Sequence, residues 1–339
     1  MILKIKKPND FHHHLRDNNM LPITVKHCFN KFKNVIVMPN LIPPIITIKE
    51  ALLYRKRIQK YNIYNGDPLM TLYLHKNIKE TDLRQFNKYN EMGGIKLYPK
   101  NMTTNSSKGI SSIKEVYHII KIMEEEDIPL LILGETTKKN IDIFNREKYF
   151  IKNELSKIIE QFPKLKIVLE HITTEYAVDF VLTHKNVYAT ITPHHLLLDR
   201  NDIFKNGINP HLYCLPILKK NKDKNTLIKA AISGNKKFFL GTDNAPHLDC
   251  NKLSSCVCSG IFNSPVAIEI ITELFENNKS LHKLEKFISL NGCDFYKIPY
   301  NKEYIILKKE EWTVPNKINK LTPLYCNKKL KWKIYNNII

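Results

Sequence analysis

The sequence predicts an α/β protein, a (β/α)8 barrel with a C-terminal extension, and three observations carry that reading. Short apolar runs recur along the chain, each ends in polar residues, and segments with helical apolar spacing lie between most of them, the alternation expected of βα units. The runs number eight. Length agrees, because 339 residues exceed an average domain whereas barrels of this kind run to about 250 residues and beyond. No internal repeat and no Pro/Gly/Ser-rich linker divides the chain, so residues 1–339 are expected to form a single barrel domain, with about 290–339 as an extension packed on its outside.

Taken in order, the first strand is expected at ILKI (2–5), continuing to the histidines at 12–14. The next three are NVIVMPN (34–40), LMTLYLH (69–75) and GIKLYP (94–99). The second half supplies PLLILGE (129–135), KIVLEHI (166–172), VYATITPHH (187–195) and KFFLGTD (237–243). Helices fill the gaps: Ala51, Leu52, Tyr54 and Ile58 share one face, as do Ile113, Val116, Ile119, Ile120 and Met123, with Ser111 or Ser112 as a cap. Residues 196–236 make a long seventh connection, and long loops in compact domains are often functional.

Composition narrows the class. A hydrophobic content of 43% suits a buried core, and no apolar run approaches the roughly 20 residues of a membrane-spanning helix. The opening MILKIKKPNDF has neither a long apolar stretch nor a small-residue cleavage site, so a cytoplasmic address is expected. Seven cysteines are odd in number and sparse, which fits reduced thiols, and Cys256 and Cys258 lack a second pair at zinc-ligand spacing. The formal charge of +20 comes from lysines spread along the chain with Asn and Ile. No nucleic-acid motif accompanies it, so the expectation is a general basic field that draws anionic metabolites, with neither nucleic acid nor membrane as partner.

The chemistry gathers at strand ends. In DFHHHLRD the two-residue period of a strand sends His12 and His14 to one side and His13 to the other, making a chelating pair. His171 ends the sixth strand and Asp243 the eighth. Lys96 lies within an apolar strand, where a bare charge is costly to bury. All converge on the C-terminal mouth of a barrel as a nitrogen and oxygen set suited to zinc.

The stretches FHHHLRDNNML, VIVMPNLIPP, KLYPKNMTTNSSKG, IDIFNRE, LEHITT, ATITPHHLL, PHLYCLPILK and LGTDNAPH resemble, in order from about residue 4 to about 300, the short dihydroorotases of the amidohydrolase superfamily. The resemblance implies a zinc-dependent TIM barrel of amidohydrolase type that interconverts N-carbamoyl-L-aspartate and L-dihydroorotate in pyrimidine biosynthesis. It implies two zinc ions, with His12, His14 and Asp243 on one, a carboxylated Lys96 bridging both, and His171 on the second. Asp243 would also move the proton between water and ring nitrogen. Arg16, Asn40 and His247 would bind the substrate carboxylate, Thr103 and Thr104 would form a lid, and Leu215 and Ser259 would contact the ring. A homodimer is implied as well.

One position departs. The family carries a histidine in an LLVHGE-type strand, whereas this chain reads LLILGE with Leu133 there. An isobutyl group has no electron pair to give. Three outcomes are open: one firmly held zinc suffices, His75 at the end of the third strand compensates, or the chain is a catalytically impaired scaffold that supports a pathway partner such as aspartate carbamoyltransferase.

Overall fold

A computed structural model of the chain describes residues 1–335, so the last four residues of the expected extension lie outside the described residues. Eight parallel strands form the main sheet in sequential order: β2 (Asp10–His13), β3 (Asn34–Val37), β4 (Asp67–Tyr73), β5 (Met92–Leu97), β6 (Leu130–Leu133), β7 (Ile167–Glu170), β8 (Val187–Ile191) and β9 (Phe238–Leu240). Seven of these lie at expected positions and the first at the histidine end of its expected run, and the sheet curls into a barrel. The seam between β2 and β9 is joined just past β9, where the Asp243 N–H donates to the His12 carbonyl at 2.9 Å and the His14 N–H to the Asn244 carbonyl at 3.1 Å. Asp10 reinforces the seam by accepting from the Thr242 N–H at 2.7 Å and from its hydroxyl.

The first expected strand is corrected by the structure. It breaks at Lys7–Asn9, where Pro8 has no N–H to give a ladder, and β1 (Ile2–Lys6) leaves the barrel. β1 pairs antiparallel with β10 (Tyr304–Thr313), which pairs with β11 (Lys329–Tyr335) in a separate three-stranded sheet. The extension therefore supplies strands for the N-terminus and covers part of the barrel floor. Phe11 of β2 stacks on Tyr296 with centroids 5.3 Å apart, and Phe295 and Cys293 join the inward-facing Ile36, Leu69, Leu131, Val168 and Phe239 in one apolar cluster. Gly292 makes this approach possible, since a Cβ there would lie 2.1 Å from the Phe11 ring.

Thr47 caps the helix Ile48–Gln59 in a capping box with Glu50. The second helix differs from expectation: Ser112 precedes a 3-10 turn at Ile113–Val116 without a side-chain cap bond, and the α-helix is Tyr117–Glu125. The long seventh connection holds a short helix at Pro193–Leu197, two 3-10 turns and the helix Asn221–Ile232. Among the described residues no helix is long and apolar enough to cross a membrane.

Candidate metal centre and substrate pocket

The barrel mouth brings the expected residues together. His12, His14, Arg16, Asn40, Thr103, Thr104, Leu133, His171, Leu215, Asp243 and Ser259 all line one small chamber of about 20 Å3, with Tyr98 also in its wall. His247 reaches it through Arg16, and Lys96 lies buried just beneath, fully shielded from solvent. An outer cleft of about 490 Å3 shares His14, Arg16 and Asn40 with the chamber and opens it outward.

Backbone kinks aim several of these side chains. Arg16, His171 and Asp243 have φ of 60°, 43° and 46°, left-handed values that cost a non-glycine residue about 1 kcal/mol. At His171 the kink follows Glu170 directly. Strand alternation would send these two neighbours to opposite faces, yet both reach His12: the rings of His12 and His171 are 4.9 Å apart, and Glu170 Oε1 is 2.9 Å from His12 Nδ1 as a charge pair without hydrogen-bond alignment.

Three donors form a compact triangle. His12 Nε2 lies 3.4 Å from His14 Nε2 and 3.3 Å from Asp243 Oδ1, and His14 Nε2 lies 3.2 Å from the same oxygen. Tetrahedral ligands about 2.0–2.1 Å from a zinc ion stand about 3.3 Å from one another. Two imidazoles and a carboxylate at that spacing fit zinc in donor chemistry and in size. Both histidines are backed by a further group, since His14 Nδ1 meets Asn40 Oδ1 at 2.9 Å, and Glu170 sits at His12 Nδ1. His13 points away from the mouth, where its Nδ1 meets Asp10 Oδ2 at 2.7 Å and its Nε2 meets the Asn244 amide at 3.1 Å.

The neighbouring corner is built differently. Lys96 makes a direct ion pair with Glu170, and its ammonium lies 4.9 Å from the centroid of the Tyr98 ring. Leu133 is buried in an apolar cluster with Tyr73, Tyr98 and Met102. His171 Nδ1 is buried without a hydrogen-bond partner among the described residues. His12, Glu170 and His171 lie close enough here to form a second potential metal-binding group, but His12 already belongs to the first triangle, Glu170 is paired with Lys96, and Leu133 adds only a methyl-lined wall. His75 gives no help: it is absent from the chamber lining, and its Nδ1 accepts from the Asn77 N–H at 3.2 Å.

Charge in the site follows from burial and contact. Burial works to raise the Asp243 carboxyl, but hydrogen bonds from His12 and His14 override it and hold the group well below the carboxylate range. Burial pulls His12 down while Glu170 and Asp243 lift it to about 9, whereas burial, aided by the Arg16 charge, lowers His14 to about 4. Burial and then the Arg16 charge push His247 to about 3, so that imidazole is neutral. Its Nε2 stands 3.0 Å from Arg16 Nη2 and 3.0 Å from the Ser259 carbonyl. One nitrogen can accept from the guanidinium or donate to the carbonyl, and accepting leaves the Ser259 oxygen open to a ligand N–H.

Arg16 does not pair with its neighbour Asp17, which instead takes a two-pronged contact from Arg57 at 2.7 and 3.2 Å. The Arg16 Nε donates to the Pro246 carbonyl at 3.1 Å, which orients the fork. Over the chamber, the Thr103–Ser106 turn is fastened to Asn40, whose amide donates to the Thr104 carbonyl at 3.0 Å while its own carbonyl accepts from the Asn105 amide at 2.9 Å.

Sequence reasoning missed Glu170, Tyr98, Asp10 and Asn105. For Glu170 the signal was present, because an acid in the apolar strand IVLE raises the same question as Lys96. Asn105 acts through a contact distant in sequence, and Asp10 joins its neighbour His13 to the distant Thr242, a link no local pattern announces. Cys256 and Cys258 belong to none of the potential metal-binding groups among the described residues.

No protein-family model matches the chain. Individual proteins do: it is 46% identical over 339 residues to a dihydroorotase of Acaryochloris marina, with 98% of each chain covered. Among solved structures, a dihydroorotase from Campylobacter jejuni superposes with a TM-score of 0.90 at 38% identity, covering 98% of this chain and 97% of that one. A dihydroorotase from Saccharomyces cerevisiae, solved with 5-fluoroorotic acid, gives a TM-score of 0.91 at 32% identity over 98% of both chains. Similarity in both sequence and fold runs along nearly the whole of each of these proteins, and the chain therefore belongs to the dihydroorotase family of cyclic amide hydrolases.

Proposed function

We propose that this chain catalyses the reversible, zinc-dependent interconversion of N-carbamoyl-L-aspartate and L-dihydroorotate in pyrimidine biosynthesis. The observation that carries the reading is the placement of an anion-reading group beside a proton-moving one: Arg16 shares a single chamber with the His12, His14 and Asp243 triangle. A zinc ion held by that triangle supplies Lewis acidity, which polarises a carbonyl and lowers the pKa of water.

The protein's own groups do the rest. Arg16 binds the substrate carboxylate with a charge-assisted fork, and Asn40 and the neutral His247 complete that contact. Asp243, kept ionised by its histidine partners, takes a proton from the attacking water and delivers it to the departing ring nitrogen. In the cyclising direction the same carboxyl starts protonated. Leu215 and Ser259 contact the ring, the latter through the carbonyl beside His247. Thr103 and Thr104 close over the substrate and keep bulk water out.

The chemistry of these retained side chains supports catalysis over a silent scaffold. A homodimer in the cytoplasm belongs to the same reading by family resemblance, and association with aspartate carbamoyltransferase belongs to the scaffold alternative. The test is turnover of both substrates by zinc-replete protein beside Asp243→Ala. Clear activity in the unmodified chain and its loss in the variant are expected. An inert unmodified chain that forms a stable complex with aspartate carbamoyltransferase would install the scaffold reading.

A further inference from the structure

The two corners of the mouth differ in what they offer a cation. At the β2 and β9 corner, two imidazole nitrogens and one carboxylate oxygen stand 3.2–3.4 Å apart, already at the spacing of ligands around one zinc ion. At the β6 and β7 corner, the residue that ends β6 is Leu133, packed with Tyr73, Tyr98 and Met102. Glu170 cannot serve there without abandoning a buried cation, because its carboxylate balances Lys96 on one side and His12 on the other. Lys96 is satisfied as it stands, with a carboxylate at its ammonium and the face of Tyr98 nearby. His12, Glu170 and His171 do approach one another closely enough to form a group, but His12 belongs to the first triangle and Glu170 to Lys96, which leaves His171, with Nδ1 buried and unpartnered, as the one ligand of that group not otherwise engaged. One nitrogen falls short of the three protein ligands usual at a catalytic zinc.

We propose that this chain holds one metal ion, in the His12–His14–Asp243 triangle, and that Lys96 remains an unmodified lysine paired with Glu170. The inference rests on the dihydroorotase reading for its expectation of a metal and departs from it in number and in the state of the lysine. Leu133 is the residue responsible. Within this arrangement His171 lines the chamber without holding the ion.

The experiment measures metal content per chain on the zinc-replete full-length protein, by elemental analysis and by anomalous diffraction at the zinc edge, together with the intact mass under native conditions. The expected result is one equivalent, one anomalous peak among His12, His14 and Asp243, and no mass increment of an added carbon dioxide. His171→Ala is expected to keep one equivalent, His12→Ala to fall to none, and Leu133→His to rise toward two. Two equivalents in the unmodified chain, a second peak beside His171, or a carbamate on Lys96 would overturn the proposal. So would a fall in metal content in folded His171→Ala, a readout that stands even where Leu133→His fails to fold. Turnover is read separately. An inactive protein with one bound ion sinks the proposed reaction and leaves the metal count standing, whereas an active protein with two ions does the reverse.

Discussion

The β2 and β9 corner of the mouth and the β6 and β7 corner are made by the same architectural rule, a parallel strand ending in a residue that faces the barrel axis, yet they differ in the ligands they leave free: the first sets His12, His14 and Asp243 in a triangle, whereas the second ends β6 in Leu133 and pairs Glu170 with Lys96. The barrel backbone is indifferent to the distinction. Leu133 pairs with Glu170 in the same unbroken parallel register as the preceding residues of β6 and β7. At the other corner β2 shifts register against β3 between Asp10 and His13, and its seam with β9 is closed by backbone bonds just past β9, reinforced by Asp10 gripping Thr242. The difference teaches that the fold supplies positions, and that ligand chemistry depends on the residue at each position and on the contacts holding it from behind.

Several measurements break or sharpen that comparison. The largest effect is expected for Asp243→Ala, which removes a donor and the proton carrier together: metal content should fall sharply and turnover should drop by at least roughly 10²–10⁴-fold, the usual worth of a positioned acid or base. Retained metal in that variant would move the site elsewhere. Next, Glu170→Gln strands the Lys96 charge in the interior and is expected to lower unfolding free energy by about 3–5 kcal/mol. Adding Lys96→Met to it should recover part of that loss in denaturant melts. If the double variant is no more stable than the single one, the ion pair is not what stabilises this corner.

Arg16→Ala removes one charge-assisted contact, worth about 1.5–3 kcal/mol, so kcat/KM should fall roughly 10–100-fold. Most of that change is expected in KM, with metal content intact. Leu133→Met keeps the wall apolar and nearly isosteric, so it should cost under about 1.5 kcal/mol and leave the metal count unchanged. A changed count would show that this corner takes part in holding the ion. The smallest effect is expected for Asn105→Ala, which loses one hydrogen bond between lid and Asn40, about 0.5–1.5 kcal/mol. It should appear as a several-fold rise in KM.

The sequence made the barrel legible because buried parallel strands must be apolar runs, and seven of the eight fell where expected, the first only at its histidine end. It misjudged the N-terminal run, since ILKI and the histidine strand read as one apolar stretch and only the ladder-breaking Pro8 hinted at two sheets. The partner of β1 lies some three hundred residues away and no local pattern announces it. At the site, His12, His14, Lys96 and Asp243 were legible as polar groups in places where apolar ones are expected. The kinks at Arg16, His171 and Asp243 were not, because left-handed φ in a non-glycine residue is imposed by tertiary contacts. Glu170 carried the same signal as Lys96, an acid in an apolar strand, but the kink at His171 that lets both neighbours reach His12 left no trace in the sequence.

The small sheet has a consequence for how the protein comes into being. β1 leads through three residues into the strand that bears His12, yet its hydrogen-bonding partner is β10, Tyr304–Thr313. At a synthesis rate of about 5–20 residues per second, roughly 15–60 s separate the emergence of the two strands from the ribosome. Throughout that interval β1 is an unpaired edge, open to wrong partners. The first histidines of the site to be synthesised thus follow a strand secured only near the end of synthesis, and a nascent chain interrupted before residue 304 has the histidines without the segment that anchors the strand leading into them.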